Sequence, residues 1–276
     1  MNTGTSKAPG IIKNGTHYIY TPCLNENKND EMVVCVHGIG SYSEQYLGIA
    51  ETLNAAGYSV LRYDLLGRGY SAYPVDNIFD VEAHIKQLYD LTKHLELNES
   101  NKKFHIIGHS MGGALTALYV NRYPADIASV TLMAPAGVAS VGMINCIIGC
   151  NCIQGIVKQK LSNGQEEAWR NDYYSKEGLG LERENDCVER LSNIYQQNPR
   201  QFDSFWECVK QFPLGGLEAE AELLGTYDGA KSPHTIPVLM MWAYHDKILP
   251  FNVNYSGWSM NIKNGIGMGV QSSETT

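Results

Sequence analysis

The chain has 276 residues, 43% hydrophobic and 18% charged, which excludes a fibrous or disordered protein and suffices for one large α/β domain carrying an insertion. A formal net charge of −8 with no Lys/Arg cluster disfavours binding to phosphate backbones or anionic membranes, so no nucleic-acid partner is expected. Residues Met1 to Gly10 lack the pattern of a secretory signal, and seven cysteines, an odd number, read as free thiols, so a cytoplasmic location is expected.

His17 to Tyr20 reads as an early edge strand and Asn25 to Glu31 as a polar turn. Met32 to Val36 is a continuous apolar run, the pattern of a fully buried strand, and it stops abruptly at His37 Gly38 Ile39 Gly40. A helix is expected over Ser43 to Ala56, ended by Gly57. Ser59 to Tyr63 is the next strand, and Asp64 to Pro74 a glycine-containing loop. Val81, Ile85, Leu88, Leu91 and Leu95 recur at helical steps, which predicts one helix face laid on a sheet. Lys103 to Ile107 and Ser129 to Met133 read as strands on either side of a helix that Pro124 ends.

The alternation predicts a mostly parallel sheet with helices on both faces. It stops near Pro135 and resumes at Ile236, where Pro237 to Trp242 reads as another buried strand. Three parts follow: a core over 1–135, a helical cap or lid inserted over 136–234, and a second core part over 235–276 that is expected to be incomplete. The apolar stretch Val130 to Val157 is broken by Pro135, Ser140, Asn145, Asn151 and Gln154, so no transmembrane segment is expected.

Gly108, Ser110 and Gly112, with His109 and Met111 between them, have the spacing of a strand-to-helix turn that presents a serine nucleophile. The glycines are needed where side chains beside the serine would collide with the turn. At the end of the earlier buried strand, the N–H of Ile39 is placed to pair with that of Met111 as an oxyanion hole, flanked by Gly38 and Gly40. His37 is expected to hold that loop rather than to move protons. Asp246, after the Val238 to Trp242 strand, suits a carboxylate that orients a base; the plainer reading is a turn residue. Cys146, Cys150 and Cys152 lack paired metal-ligand spacing and read as cap packing, so no metal is expected. Cap aromatics such as Trp169, Tyr173, Tyr174, Phe202, Phe205 and Trp206 read mainly as packing, with some expected to line a pocket.

These motifs, together with Tyr63 Asp64 Leu65 Leu66 Gly67 Arg68 Gly69 Tyr70 Ser71, resemble the α/β-hydrolase family. The resemblance is to its branch of monoacylglycerol lipases, carboxylesterases, meta-cleavage-product hydrolases and serine-aminopeptidase-like proteins. It implies an α/β-hydrolase fold with an eight-stranded sheet and a variable lid, no cofactor, and hydrolysis of a small or lipid-like ester through a serine ester. Ser110 and Asp246 take the nucleophile and acid positions. The family places its catalytic histidine after the acid, whereas Lys247 to Thr276 contain none. His245 adjoins Asp246, but on an extended backbone neighbours point to opposite sides. The sequence thus reads as a serine hydrolase impaired by a missing base, through an altered C-terminal sequence or as a true pseudoenzyme; the alternative function is an inactive ligand-binding or interaction protein. Gly265 to Gln271 reads as a weak final strand whose uncovered edge would leave oligomeric state open.

Overall fold

The computed structural model describes residues 9–23, 31–97, 102–138, 159, 163–164, 166–167, 170, 178–225, 236–246, 248–262 and 265–270. Eight strands form one sheet: β1 (Gly10–Ile11), β2 (His17–Thr21), β3 (Met32–Val36), β4 (Ser59–Tyr63), β5 (Phe104–His109), β6 (Ile127–Met133), β7 (Val238–Ala243) and β8 (Gly265–Val270). Their spatial order is β1-β2-β4-β3-β5-β6-β7-β8. The β1–β2 and β2–β4 pairs are antiparallel and every later pair is parallel. The expected mostly parallel α/β sheet is therefore present.

The helices in chain order are α1 (Leu47–Ala55), α2 (Val81–His94), α3 (Met111–Arg122), α4 (Gly178–Gln197), α5 (Gln201–Gln211), α6 (Glu218–Gly225) and α7 (Phe251–Asn261). Alternation along β3 divides the core between two faces. Val33 and Cys35 join Tyr46, Ala50 of α1 and Val60 on one side. Val34 and Val36 join Ile85 and Leu88 of α2 and Leu115 of α3 on the other. With β4 on one side of β3 and β5 on the other, chain direction across the sheet reverses at β3. Beyond the carboxyl ends of such strands the crossovers diverge and leave a crevice.

Several boundaries differ from the sequence-based expectation. The first expected helix begins as a single 3₁₀ turn, Ser43–Tyr46, before α1 proper. β5 continues through Gly108 to His109 because both extend the parallel register with Leu132 and Met133. The weak last strand is β8, in register with β7 from Val238 opposite Gly265 to Ala243 opposite Val270. Helix α7, which the sequence did not suggest, packs through the fully buried Trp258, whose Nε1–H donates to Pro135 O at 3.1 Å. The Cys146/Cys150/Cys152 cluster, Trp169, Tyr173 and Tyr174 lie outside the described residues. Among those described, no helix is long and apolar enough to cross a membrane.

Candidate active site

The carboxyl ends of β3 and β5 meet at the candidate site. Ser110, between β5 and α3, has φ 54° and ψ −120°, a left-handed conformation uncommon for a residue with a side chain. Two glycines permit the tight turn. A Cβ on Gly108 would lie 2.4 Å from Gly112 O, and one on Gly112 would lie 2.2 Å from Val36 O and 2.4 Å from His37 O. The helix therefore starts directly against the end of β3. The turn is held by Ser110 N–H donating to Met133 O and by Ala136 N–H donating to Ser110 O, both at 3.0 Å. The Ser110 side chain is partly exposed, and its Oγ makes no hydrogen bond among the described residues.

The loop after β3 lies against this serine. A Cβ on Gly38 would come within 3.0 Å of His109 Nδ1 and 3.4 Å of Ser110 Cβ, so the bare backbone passes at contact distance. His37 is fully buried; its Nε2 accepts from Leu65 N–H at 2.9 Å and its Nδ1–H donates to Gly38 O at 2.8 Å. Burial lowers its pKa to about 4, against an opposing pull from Asp64. With both ring nitrogens engaged by backbone, His37 fixes the peptide plane whose far side carries the Ile39 N–H. Neither that N–H nor the N–H of Met111 at the start of α3 donates to an acceptor among the described residues. Phe205 of α5 approaches the next turn: a Cβ on Gly40 would be 3.9 Å from its ring.

Among the polar groups behind the loop, sequence reasoning gave no role to Gln45, Asp64 or His17 and gave His109 only as support for the serine turn. Gln45 Oε1 accepts from Gly38 N–H at 3.1 Å while its Nε2–H donates to His109 Nδ1 at 2.7 Å. The His109 pKa is lowered by burial, with Asp246 pulling it upward. Asp64 is buried, accepting from Ser43 N–H at 2.7 Å, Tyr70 N–H at 2.9 Å and His17 Nδ1–H at 2.7 Å. Burial alone would raise its pKa, but the His17 bond, nearby His37 and the Tyr70 N–H outweigh that and hold it below the usual value. The 64–71 run was singled out only as a resemblance; its chemistry is that of a buried clasp between two loops.

Asp246 follows β7, where its Oδ1 accepts from Ile248 N–H at 2.9 Å and Leu249 N–H at 2.7 Å. One carboxylate oxygen thus closes a turn, as the plainer sequence reading had it. The other has no hydrogen bond among the described residues. His245 occupies the turn after β7 and is exposed, so strand alternation does not set its direction as the sequence argument assumed. Among the described residues no group of three or more His, Cys, Asp or Glu is placed to hold a metal ion.

The family model for serine aminopeptidase, S33, matches residues 27–190, a span containing the loop after β3, the Ser110 turn and the Asp64 clasp. The chain belongs to this family. Its relatives include Lipase 3 of Moraxella sp. (strain TA144), 24% identical over 241 residues, covering 86% of this chain and 69% of that protein. Lipase 1 of Psychrobacter immobilis is 25% identical over 247 residues, covering 88% and 70%. Among solved structures, a hydrolase from Pseudomonas aeruginosa PA01 superposes with a TM-score of 0.69 at 16% identity, covering 98% of this chain and 91% of that one. The architecture is the α/β-hydrolase fold, and the chain is a lipase- or esterase-like member of it. The matched span ends before Asp246.

Proposed function

We propose that this chain carries the site of a serine hydrolase for carboxylic esters of small or lipid-like acyl groups. The observation that carries the reading is the left-handed Ser110 turn set against the Gly38 loop, with the Ile39 and Met111 N–H groups uncommitted. Ser110 Oγ would attack the ester carbonyl as its proton passes to a base. The two N–H groups would hold the oxyanion, each contributing about 3 kcal/mol in the transition state. Collapse would expel the alcohol, and water would release the acid from the serine ester. Residues 136–234 are proposed as the lid over the acyl group, between core parts 1–135 and 235–276; the lipase relatives support an ester or lipid substrate. Cys35, Cys187 and Cys208 form no disulfide among the described residues, which suits the proposed cytoplasmic setting.

Asp246 would orient the base, yet no histidine follows it in the 276 residues. Hydrolysis of a p-nitrophenyl acyl ester by this chain should therefore stay within about tenfold of the uncatalysed rate. Exogenous imidazole should raise turnover beyond its own solution catalysis, and Ser110→Ala should abolish that gain. Full activity without imidazole, lost in His245→Ala, would assign the base to His245 and sink the missing-base argument. A gain that survives Ser110→Ala would remove Ser110 as nucleophile. A second reading, a ligand-binding protein, predicts acyl-ligand stabilisation with no Ser110-dependent turnover under either condition.

A further inference from the structure

Arg68 is fully buried, and no carboxylate pairs with it among the described residues. A guanidinium in such a place is costly unless its N–H groups find acceptors. Its Nε–H donates to Ile39 O at 2.7 Å. At the other end of the fork, Nη1 donates to Ser204 Oγ and, at 3.5 Å, to Gln201 O, both on α5. Nη2 is buried with no acceptor in hydrogen-bond geometry among the described residues, although the Cys208 thiol of α5 lies close enough to feel the cation. The two ends of one rigid, planar group therefore grip the loop behind the proposed oxyanion hole and a helix more than 130 residues later in the chain.

The surrounding contacts make α5 a fitted part rather than a loose cover. Gly69 N–H donates to Gln201 Oε1 at 3.0 Å, and Asn198 Nδ2–H donates to Gly69 O at 3.1 Å. Gly67, at φ +65°, leaves room for Ser204, whose Cβ would lie 2.7 Å from a Cβ there. Arg68 and the Ile39 carbonyl thus sit between the helix and the peptide unit next to the Ile39 N–H. His37 holds the preceding peptide plane through Gly38 O, and Arg68 holds the following one through Ile39 O, beside the weaker Tyr195 O–H bond to Gly40 O at 3.4 Å.

We propose that Arg68 is a positioning residue that links the seating of α5 to the geometry of the Ile39 peptide, so the oxyanion donor is fixed only while the helix is docked. The inference rests on the oxyanion role proposed for Ile39, but the physical link is testable without any reaction. Hydrogen–deuterium exchange read by mass spectrometry on the full chain is the measurement, comparing peptides spanning 37–42 and α5. Ser204→Ala and Arg68→Lys should speed exchange in 37–42 by about threefold to tenfold, although Ser204 does not touch that loop. Phe205→Ala removes the ring beside Gly40 but keeps the fork, and should leave 37–42 largely protected. Unchanged 37–42 exchange in Ser204→Ala or Arg68→Lys, or equal loss in all three variants, would overturn the link. Imidazole-assisted, Ser110-dependent ester turnover in Arg68→Lys supplies the second readout, with kcat expected to fall about tenfold and KM to change little. If exchange responds and no variant, wild type included, turns over ester, the link stands and the hydrolase reading fails.

Discussion

A methyl group at position 112 has nowhere to go. Its Cβ would meet the carbonyl oxygens of Val36 and His37 at 2.2 and 2.4 Å, and neither backbone can retreat from inside the sheet. Gly112→Ala should therefore lower unfolding free energy by about 3 kcal/mol or more in urea titrations. Gly48 in α1 meets nothing within 4 Å, so Gly48→Ala should instead raise stability by about 0.5 kcal/mol through helix propensity. Equal effects at the two sites would contradict the steric account. The glycines and Ser110 were legible in the sequence because a tight turn leaves a local spacing. Gln45 and His17 were not: their partners His109 and Asp64 lie 64 and 47 residues away, and only the fold joins them.

Helix α2 shows an element written locally. Ile85, Leu88 and Leu91 face the core, and the Asp80 side chain caps the first turn by accepting from Ala83 N–H at 2.8 Å. Asp80→Ala should cost about 1 kcal/mol of unfolding free energy, and Asp80→Asn only a few tenths. A loss in Asp80→Asn as large as in Asp80→Ala would assign the effect to charge rather than to the cap. The buried strand β3 was equally legible, since a continuous apolar run has one stable home. Helix α7 was not, and strand β8 was legible only weakly. Asn252, Asn254 and Gly257 weaken helix propensity, and Gly265, Gly267 and Gly269 leave β8 only Ile266, Met268 and Val270 as a side-chain signal. Their structure comes from docking: Trp258 reaches Pro135, and β8 takes its register from β7.

Across the whole molecule, buried imidazoles set the response to acid. His37 and His84 are both lowered to about 4, by burial first. In the unfolded chain each returns to about 6.5, so below that pH the unfolded state takes up protons that the folded state refuses. Stability is therefore flat above about pH 6.5 and declines as pH falls toward 4, by up to roughly 3 kcal/mol for each histidine. Asp64 acts lower still: its folded pKa is depressed, so its contribution is complete above the ordinary carboxylate range and is lost as pH falls below it. Urea midpoints measured from pH 7.5 to 4 should fall steadily below 6.5; a constant midpoint between pH 6.5 and 4.5 would show that these rings are not protected from protons.

Strands β6 and β7 are hydrogen-bonded neighbours, Val130 opposite Val238, yet α4, α5 and α6 all lie between them in the chain. The segment carrying those helices leaves and rejoins the sheet at adjacent strands, as an exchangeable cassette does. In evolutionary terms a new cassette can be spliced there without redrawing the sheet. Arg68 sets the condition for such an exchange. Any replacement must bring acceptors to where Ser204 and Gln201 now stand, or strand a cation inside the protein.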